Sequence, residues 1–160
     1  MVELDFEVEV EAEFEVVWKY FLDFATIPEW DPNVKGCKVI KRTDKEIGST
    51  YEIISLFNGR ESTVIYETLK YEISKDQGYI YLLGKNARIT ADDEIIITRK
   101  GPKLTTVIYK ADICLRGLLC FVTPCIRGSL GQLAIDARDG VVKRSIERWG
   151  KARAIKWVSW

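Results

Sequence analysis

Histidine is missing from this sequence altogether, and with it goes the side chain that most readily exchanges a proton or binds a metal at neutral pH. Neither a Ser–His or Cys–His nucleophile pair nor a mixed Cys/His zinc site can be assembled. Cysteine is sparse as well. Cys37, Cys114, Cys120 and Cys125 show no CxxC spacing, so they read as reduced, small buried hydrophobes, with a zinc site made from the last three as the alternative. No cofactor and no metal is expected. There is no net charge, 24 Lys+Arg standing against 24 Asp+Glu, which leaves none of the basic surplus that general nucleic-acid binding needs. No apolar run approaches the ~20 residues that cross a bilayer. No basic flank with an apolar stretch opens the chain, so a cytoplasmic location is expected. Four prolines and eleven glycines are too few for a disordered chain. With 47% hydrophobic and 30% charged residues, positions 1–160 read as a single globular domain.

What is present is periodicity. Val2, Leu4, Phe6, Val8 and Val10 alternate with Glu3, Asp5, Glu7, Glu9 and Glu11, the period of a strand with one dry face and one wet face. The pattern then switches to Phe14, Val17, Trp18, Phe21 and Leu22, one face of a helix. That helix is expected to stop near Ile27, because Pro28 and Pro32 bias the residues before them away from the α region. From Val34 to Leu115 the chain reads as strands near 34–42, 48–57, 60–73, 79–84, 88–99 and 103–115. The hairpin-length connections between them imply an antiparallel meander. A long helix should run from Pro124 to Trp149, its dry stripe formed by Ile126, Leu130, Leu133, Ala137, Val141 and Ile146. Its internal glycines Gly128, Gly131 and Gly140 lower helix propensity and serve either close packing or ligand space. Acids crowd the start, from Glu3 to Glu15, and bases the end, from Arg138 to Lys156. They read as a solvated strand face and a solvated helix face lying near each other, with a membrane-surface role for the basic end as the alternative.

This order specifies an α+β fold of one seven-stranded curved antiparallel sheet and one long C-terminal helix. A sheet of that width curls, and a helix ~10–12 Å across cannot touch its whole concave face. The phase set by the charged positions sends Tyr51, Ile53, Ser55 and Phe57 inward, then Ile89, Ala91, Asp93, Ile95 and Ile97, then Thr105, Val107, Tyr109, Ala111 and Ile113. Leu130, Ala134 and Ala137 face them from the helix. Apolar walls with a few polar tips suit a small-molecule pocket. The same side chains could also fill a solid core.

At these residues the chain resembles the START-like, or SRPBCC, superfamily, the polyketide cyclase/dehydrase and lipid transport group. The likeness runs through Val17-Trp18, Asp23-Phe24 and Ile27-Pro28-Glu29-Trp30-Asp31-Pro32-Asn33-Val34, then Gly48-Ser49-Thr50-Tyr51. It continues in Tyr109-Lys110-Ala111-Asp112-Ile113, Arg116-Gly117-Leu118, and Asp139-Gly140-Val141 on to Glu147. The resemblance implies the helix-grip fold, one or two short helices between the first two strands, and a hydrophobic cavity between sheet and long helix. The chain departs from the family at Leu104-Thr105, in the extension from Trp149 to Trp160, and in having no histidine.

A lipophilic ligand such as a lipid, isoprenoid or polyketide is the partner this implies. A cyclase or dehydratase-type enzyme and a protein-interaction module are the alternatives. For an enzyme, Asp93, Tyr109, Tyr51 and Arg88 are the acid–base candidates. An Asp93 among Ile89, Ala91, Ile95 and Ile97 would be desolvated and its pKa raised, whereas a bulge at Asp92-Asp93-Glu94 would turn it to solvent. Trp18 and Trp30 stand either against the ligand or in the core. Trp157 and Trp160, with Lys151, Arg153 and Lys156, make residues 150–160 an amphipathic extension suited to transient membrane-surface contact.

Overall fold

The alternating segment forms β1 (Val2–Val10), whose even-numbered residues are buried. In the computed structural model, which describes residues 1–57, 59–117 and 123–159 and the side chains among them except at 123–127 and 156–159, the first helix α1 spans Phe14–Leu22. It ends earlier than the prolines require. The Asp23 side chain accepts from the Ala25 amide at 3.2 Å and starts a single 3-10 turn, Phe24–Thr26. A separate short helix α2 (Ile27–Trp30) follows, with Pro28 inside its first turn, where a missing N–H costs nothing.

The meander follows as β2 (Val34–Lys41), β3 (Thr50–Phe57), β4 (Arg60–Ile73), β5 (Gln77–Lys85), β6 (Ile89–Gly101) and β7 (Leu104–Leu115). The long helix α3 spans Thr123–Trp149. One further strand, β8 (Ala152–Ser159), was not expected, so the curved antiparallel sheet has eight strands in the order β2-β3-β4-β5-β6-β7-β1-β8. The segment expected to be an amphipathic extension therefore lies along β1, with Glu9 opposite Arg153 and Val10 opposite Ala152. Gly150, at φ +93°, ends α3 and reverses the chain, a backbone conformation that costs a residue without Cβ little. Arg153 then reaches Glu9 at 2.7 Å and Lys151 reaches Glu11 at 3.5 Å. The acidic start and basic end do meet, strand to strand instead of strand to helix. The side chain of Trp157 and the whole of Trp160 lie outside the described residues.

α3 packs on β1, β8 and α2. Its buried positions include Leu130, Ala134, Ala137, Val141 and Ser145, whereas Ile146 is exposed. The stripe assigned from hydrophobicity drifts off the true face by one residue toward the C-terminus, where Trp149 instead stacks edge-on to Tyr20 at 5.6 Å. Arg144 binds Glu29 at 2.7 Å, and Tyr20 donates to the same carboxylate oxygen at 2.8 Å, tying α3 to α1 and α2. Gly140 serves close packing: a Cβ there would lie 1.9 Å from the Trp30 carbonyl oxygen. Thr105, at the departure from the family pattern, is buried and donates from Oγ1 to the Ala12 carbonyl at 2.9 Å, pinning β7 to the end of β1. Cys37 is half-buried and Cys114, on the outer face of β7, is exposed, so the expectation of buried thiols fails for Cys114. Cys120 and Cys125 lie outside the described side chains. No helix among the described residues is long and apolar enough to cross a membrane.

Candidate functional site

A cavity of about 160 Å³ lies between the concave face of the sheet and α3. Strand alternation places its walls. On β6, Ile89, Ala91 and Asp93 point in, and on β7 the same holds for Tyr109, Ala111 and Ile113. The pairing sets Asp93 opposite Ala111, and Ile95 opposite Tyr109. From β3 come Ile53, Ser55 and Phe57, and from α3 Leu130, Leu133, Ala134 and Ala137. Among the residues expected at the site, Ile53, Phe57, Ile89, Ala91, Asp93, Tyr109, Ala111, Leu130, Ala134 and Ala137 line this one space.

Trp18, Trp30, Tyr51, Ile95 and Val107 do not line it; all five are core residues. Trp18 sits between Phe14 and Tyr71 and lies over Gly78, where a Cβ would come within 2.3 Å of its ring. Trp30 packs between Phe21 and Tyr109. Tyr51 is wholly buried against Phe24 and directs its hydroxyl to Glu46 at 3.3 Å. Tyr51, Ile95 and Val107 do point inward from their strands, but phase along a strand does not say at which depth the hollow begins; Trp18 and Trp30, on α1 and α2, take the core position, one of the two expected for them. Arg88 is exposed and plays no part in the cavity wall.

Asp93 is the chemical centre. It is 2% exposed, so the bulge that would have turned it to solvent does not exist; β6 stays in register through Asp92, Asp93 and Glu94. The Tyr109 hydroxyl donates to its Oδ2, and Oδ1 is buried with no hydrogen-bond partner among the described residues. Burial pushes the Asp93 carboxyl up to about 7, opposed by the hydrogen bond from Tyr109 and by the nearby Tyr66 hydroxyl, which does not reach hydrogen-bond geometry, and reinforced by the charges of Asp92 and Asp31. Both tyrosines are held well above their ordinary range, by burial first and then by the Asp93 charge, so they remain donors. Tyr109 is wedged between Phe6, at 5.4 Å, and Trp30, at 5.9 Å.

Two ionisable wall residues escaped sequence reasoning. Asp31 caps α2 and accepts from the Asn33 amide at 2.9 Å, and this tight turn sets it into the cavity wall. Burial raises its carboxyl to about 6, with the Asn33 hydrogen bonds opposing and Asp136 reinforcing the shift. An acid inside an otherwise apolar Trp-Asp-Pro stretch was the available signal. Tyr66 had no such mark. Its ring lies on Phe24 at 5.4 Å and over Gly84, where a Cβ would come within 2.6 Å of the ring. Gly84→Ala is accordingly expected to push Tyr66 away from Asp93, with a loss of about 1–3 kcal/mol in urea unfolding and shifted Tyr66 ring resonances by NMR. Unshifted resonances would show that the ring does not depend on that glycine.

A buried carboxyl near neutrality, two tyrosine donors and an apolar wall equip the cavity to orient one polar group of a small lipophilic molecule and to exchange a proton with it. Comparison with solved structures places the architecture. A START superfamily protein from Mycobacterium smegmatis superposes with a TM-score of 0.75 at 18% identity, over 91% of this chain and 99% of that one. The Zhui aromatase/cyclase from Streptomyces sp. R1128 follows at 0.71 and 11% identity, over 91% of this chain and 92% of that one. A STAR-related lipid transfer protein from Xanthomonas axonopodis gives 0.56 at 16% identity, over 82% and 83%. At such identities the likeness is one of fold. No curated protein matches the chain in sequence. Residues 1–116, from β1 through the end of β7, match the sequence model of the family described as polyketide cyclase / dehydrase and lipid transport, and with the helix-grip fold in place the chain belongs to that family.

Proposed function

We propose that the protein binds, and carries in the cytoplasm, a small lipophilic molecule held between the sheet and α3. The observation that carries this proposal is the apolar cavity of about 160 Å³ with a buried, half-partnered carboxylate in its wall. Burying an apolar body there gains about 25 cal/mol per Å², while Asp93, Tyr109 and Tyr66 fix its polar end. An engineered apolar cavity of ~150 Å³ takes up one benzene-sized body, so the buried part of the ligand is of that order and not a folded polyketide chain. The unpaired thiols of Cys37 and Cys114 fit a reducing compartment.

Native mass spectrometry of the protein from its own cells should show the added mass of one small organic molecule. In Ala134→Leu, which pushes a side chain from α3 into the hollow, that mass should be lost while the circular dichroism spectrum is kept. Bare protein in both samples would remove the proposal.

A second reading has one observation in its favour. A carboxyl near 7 facing the cavity is poised as a general acid or base, as a cyclase or dehydratase would require. On that reading Asp93 is the catalytic residue and Tyr109 positions it. Unaltered turnover of a small carbonyl substrate by Asp93→Asn would exclude it.

A further inference from the structure

If the cavity holds a ligand, as proposed above, the charge on its wall narrows what that ligand is. The described residues of the wall include two carboxylates, Asp31 and Asp93, and neither lysine nor arginine. Their polar companions, Asn33, Ser55, Ser62, Tyr66 and Tyr109, are neutral.

The two oxygens of Asp93 are not equivalent. Oδ2 is taken by the Tyr109 hydroxyl, whereas Oδ1 has no partner among the described residues although the side chain is almost wholly buried. Buried acceptors are nearly always satisfied in native proteins, and one left over calls for an explanation. A ligand that donates to Oδ1 supplies it. In a low-dielectric wall the strongest such donor is a cation, because a charge-assisted hydrogen bond to a carboxylate exceeds a neutral one and Coulomb attraction is little screened. An anionic ligand meets the opposite situation: its charge would be stripped of water beside like charges, with no described counter-ion in the wall.

We propose that the cavity selects a small lipophilic amine, its ammonium group donating to Oδ1 of Asp93 with Asp31 as a second carboxylate in the same wall, and that it rejects carboxylate- and phosphate-bearing molecules of equal size. This is a narrower class than lipids at large, since fatty acids and phospholipids fall on the excluded side.

Four probes of nearly equal shape separate the contributions: benzylamine, benzyl alcohol, toluene and benzoate, titrated at pH 8 against the methyl resonances of the cavity wall. Benzylamine is expected to bind at least tenfold more tightly than toluene, benzyl alcohol to fall between them, and benzoate to bind at least tenfold more weakly than toluene. In Asp93→Asn the advantage of the amine over the alcohol should vanish while toluene is unaffected, and Asp31→Asn should reduce that advantage in part. Benzoate binding as well as benzylamine would overturn the inference while leaving the cavity reading standing, as would an amine preference that survives Asp93→Asn undiminished. Failure of all four, toluene included, would overturn the cavity reading itself and this inference with it. The wild-type ranking of amine over carboxylate decides the matter even if a variant does not fold.

Discussion

Replacing Asp93 by asparagine is expected to make the protein more stable at pH 8, by about 4 kcal/mol, and to change little at pH 4. The sign follows from proton linkage. Burial lifts the folded-state pKa of Asp93 from 3.8 to about 7. Between those values the folded protein holds a proton that the unfolded chain has already released. Stability therefore falls as pH rises from about 4 through 7, and stays low above it. Asparagine has nearly the same shape, lets Tyr109 keep an acceptor, and carries no charge to desolvate. Urea unfolding at a series of pH values should show a steep decline for the wild type and a shallow one for the variant. The residual slope belongs chiefly to Asp31, whose carboxyl is raised to about 6 and whose contribution has the same sign but ends earlier, with Asp112, also raised by burial, adding in the same sense. Parallel pH profiles for the two proteins would mean that Asp93 is not desolvated. The groups facing Asp93 are Tyr109 from β7, Tyr66 from β4 and, across the cavity wall, Asp31, while its neighbour Asp92 acts through its charge from the outer face, where it pairs with Tyr81. A protein that keeps a destabilising acid at its centre is expected to do so for its chemistry, whether to hold a ligand or to move a proton.

The second large effect concerns one substitution at two places on a single helix. Gly140→Ala is expected to destabilise the protein by about 3 kcal/mol or more, on the order of the largest overpacking losses. The new Cβ would lie 1.9 Å from the Trp30 carbonyl oxygen and 3.0 Å from Pro32 Cδ, and backbone cannot swing aside as a side chain does. α3 would have to lift from α2, and with it the Asp31 turn that forms part of the cavity wall. Gly128→Ala is the internal control. That glycine is exposed, and among the described residues no atom outside its own stretch of helix lies within 4 Å of its would-be Cβ. There the ordinary helix propensity of alanine should dominate, with a gain of up to about 1 kcal/mol. Chemical denaturation of both variants reads the difference, and losses of equal size would show that α2 and α3 do not approach as closely as described.

Much of this architecture was legible from periodicity. β1 was given by five apolar residues alternating with five acids, and β3, β6 and β7 by the same period of two, which also told that Asp93, Tyr109 and Ala111 share the inner face. Turn glycines set the hairpins to within a few residues. Where this failed, the reason was long-range. Residues 150–160 alternate too weakly to announce a strand, because β8 is held by pairing with β1 at the far end of the sequence and by Arg153 on Glu9, not by its own pattern. The exposed Ile146 and the buried Ser145 exchange their expected places because the neighbours of α3, not its composition, define its inner face.

The amino-acid sequence by itself determined the fold class, the strand phases and the family, since these depend on local stereochemistry and on which side of each element is apolar. Only the tertiary structure decided that Asp93 is sealed from water, that Asp31 and Tyr66 join it, and that Trp18, Trp30, Tyr51, Ile95 and Val107 belong to solid core. Cavity depth and desolvation arise from how far β4, β6, β7, the α2 turn and α3 stand from one another in space, a distance that no single segment of the chain records.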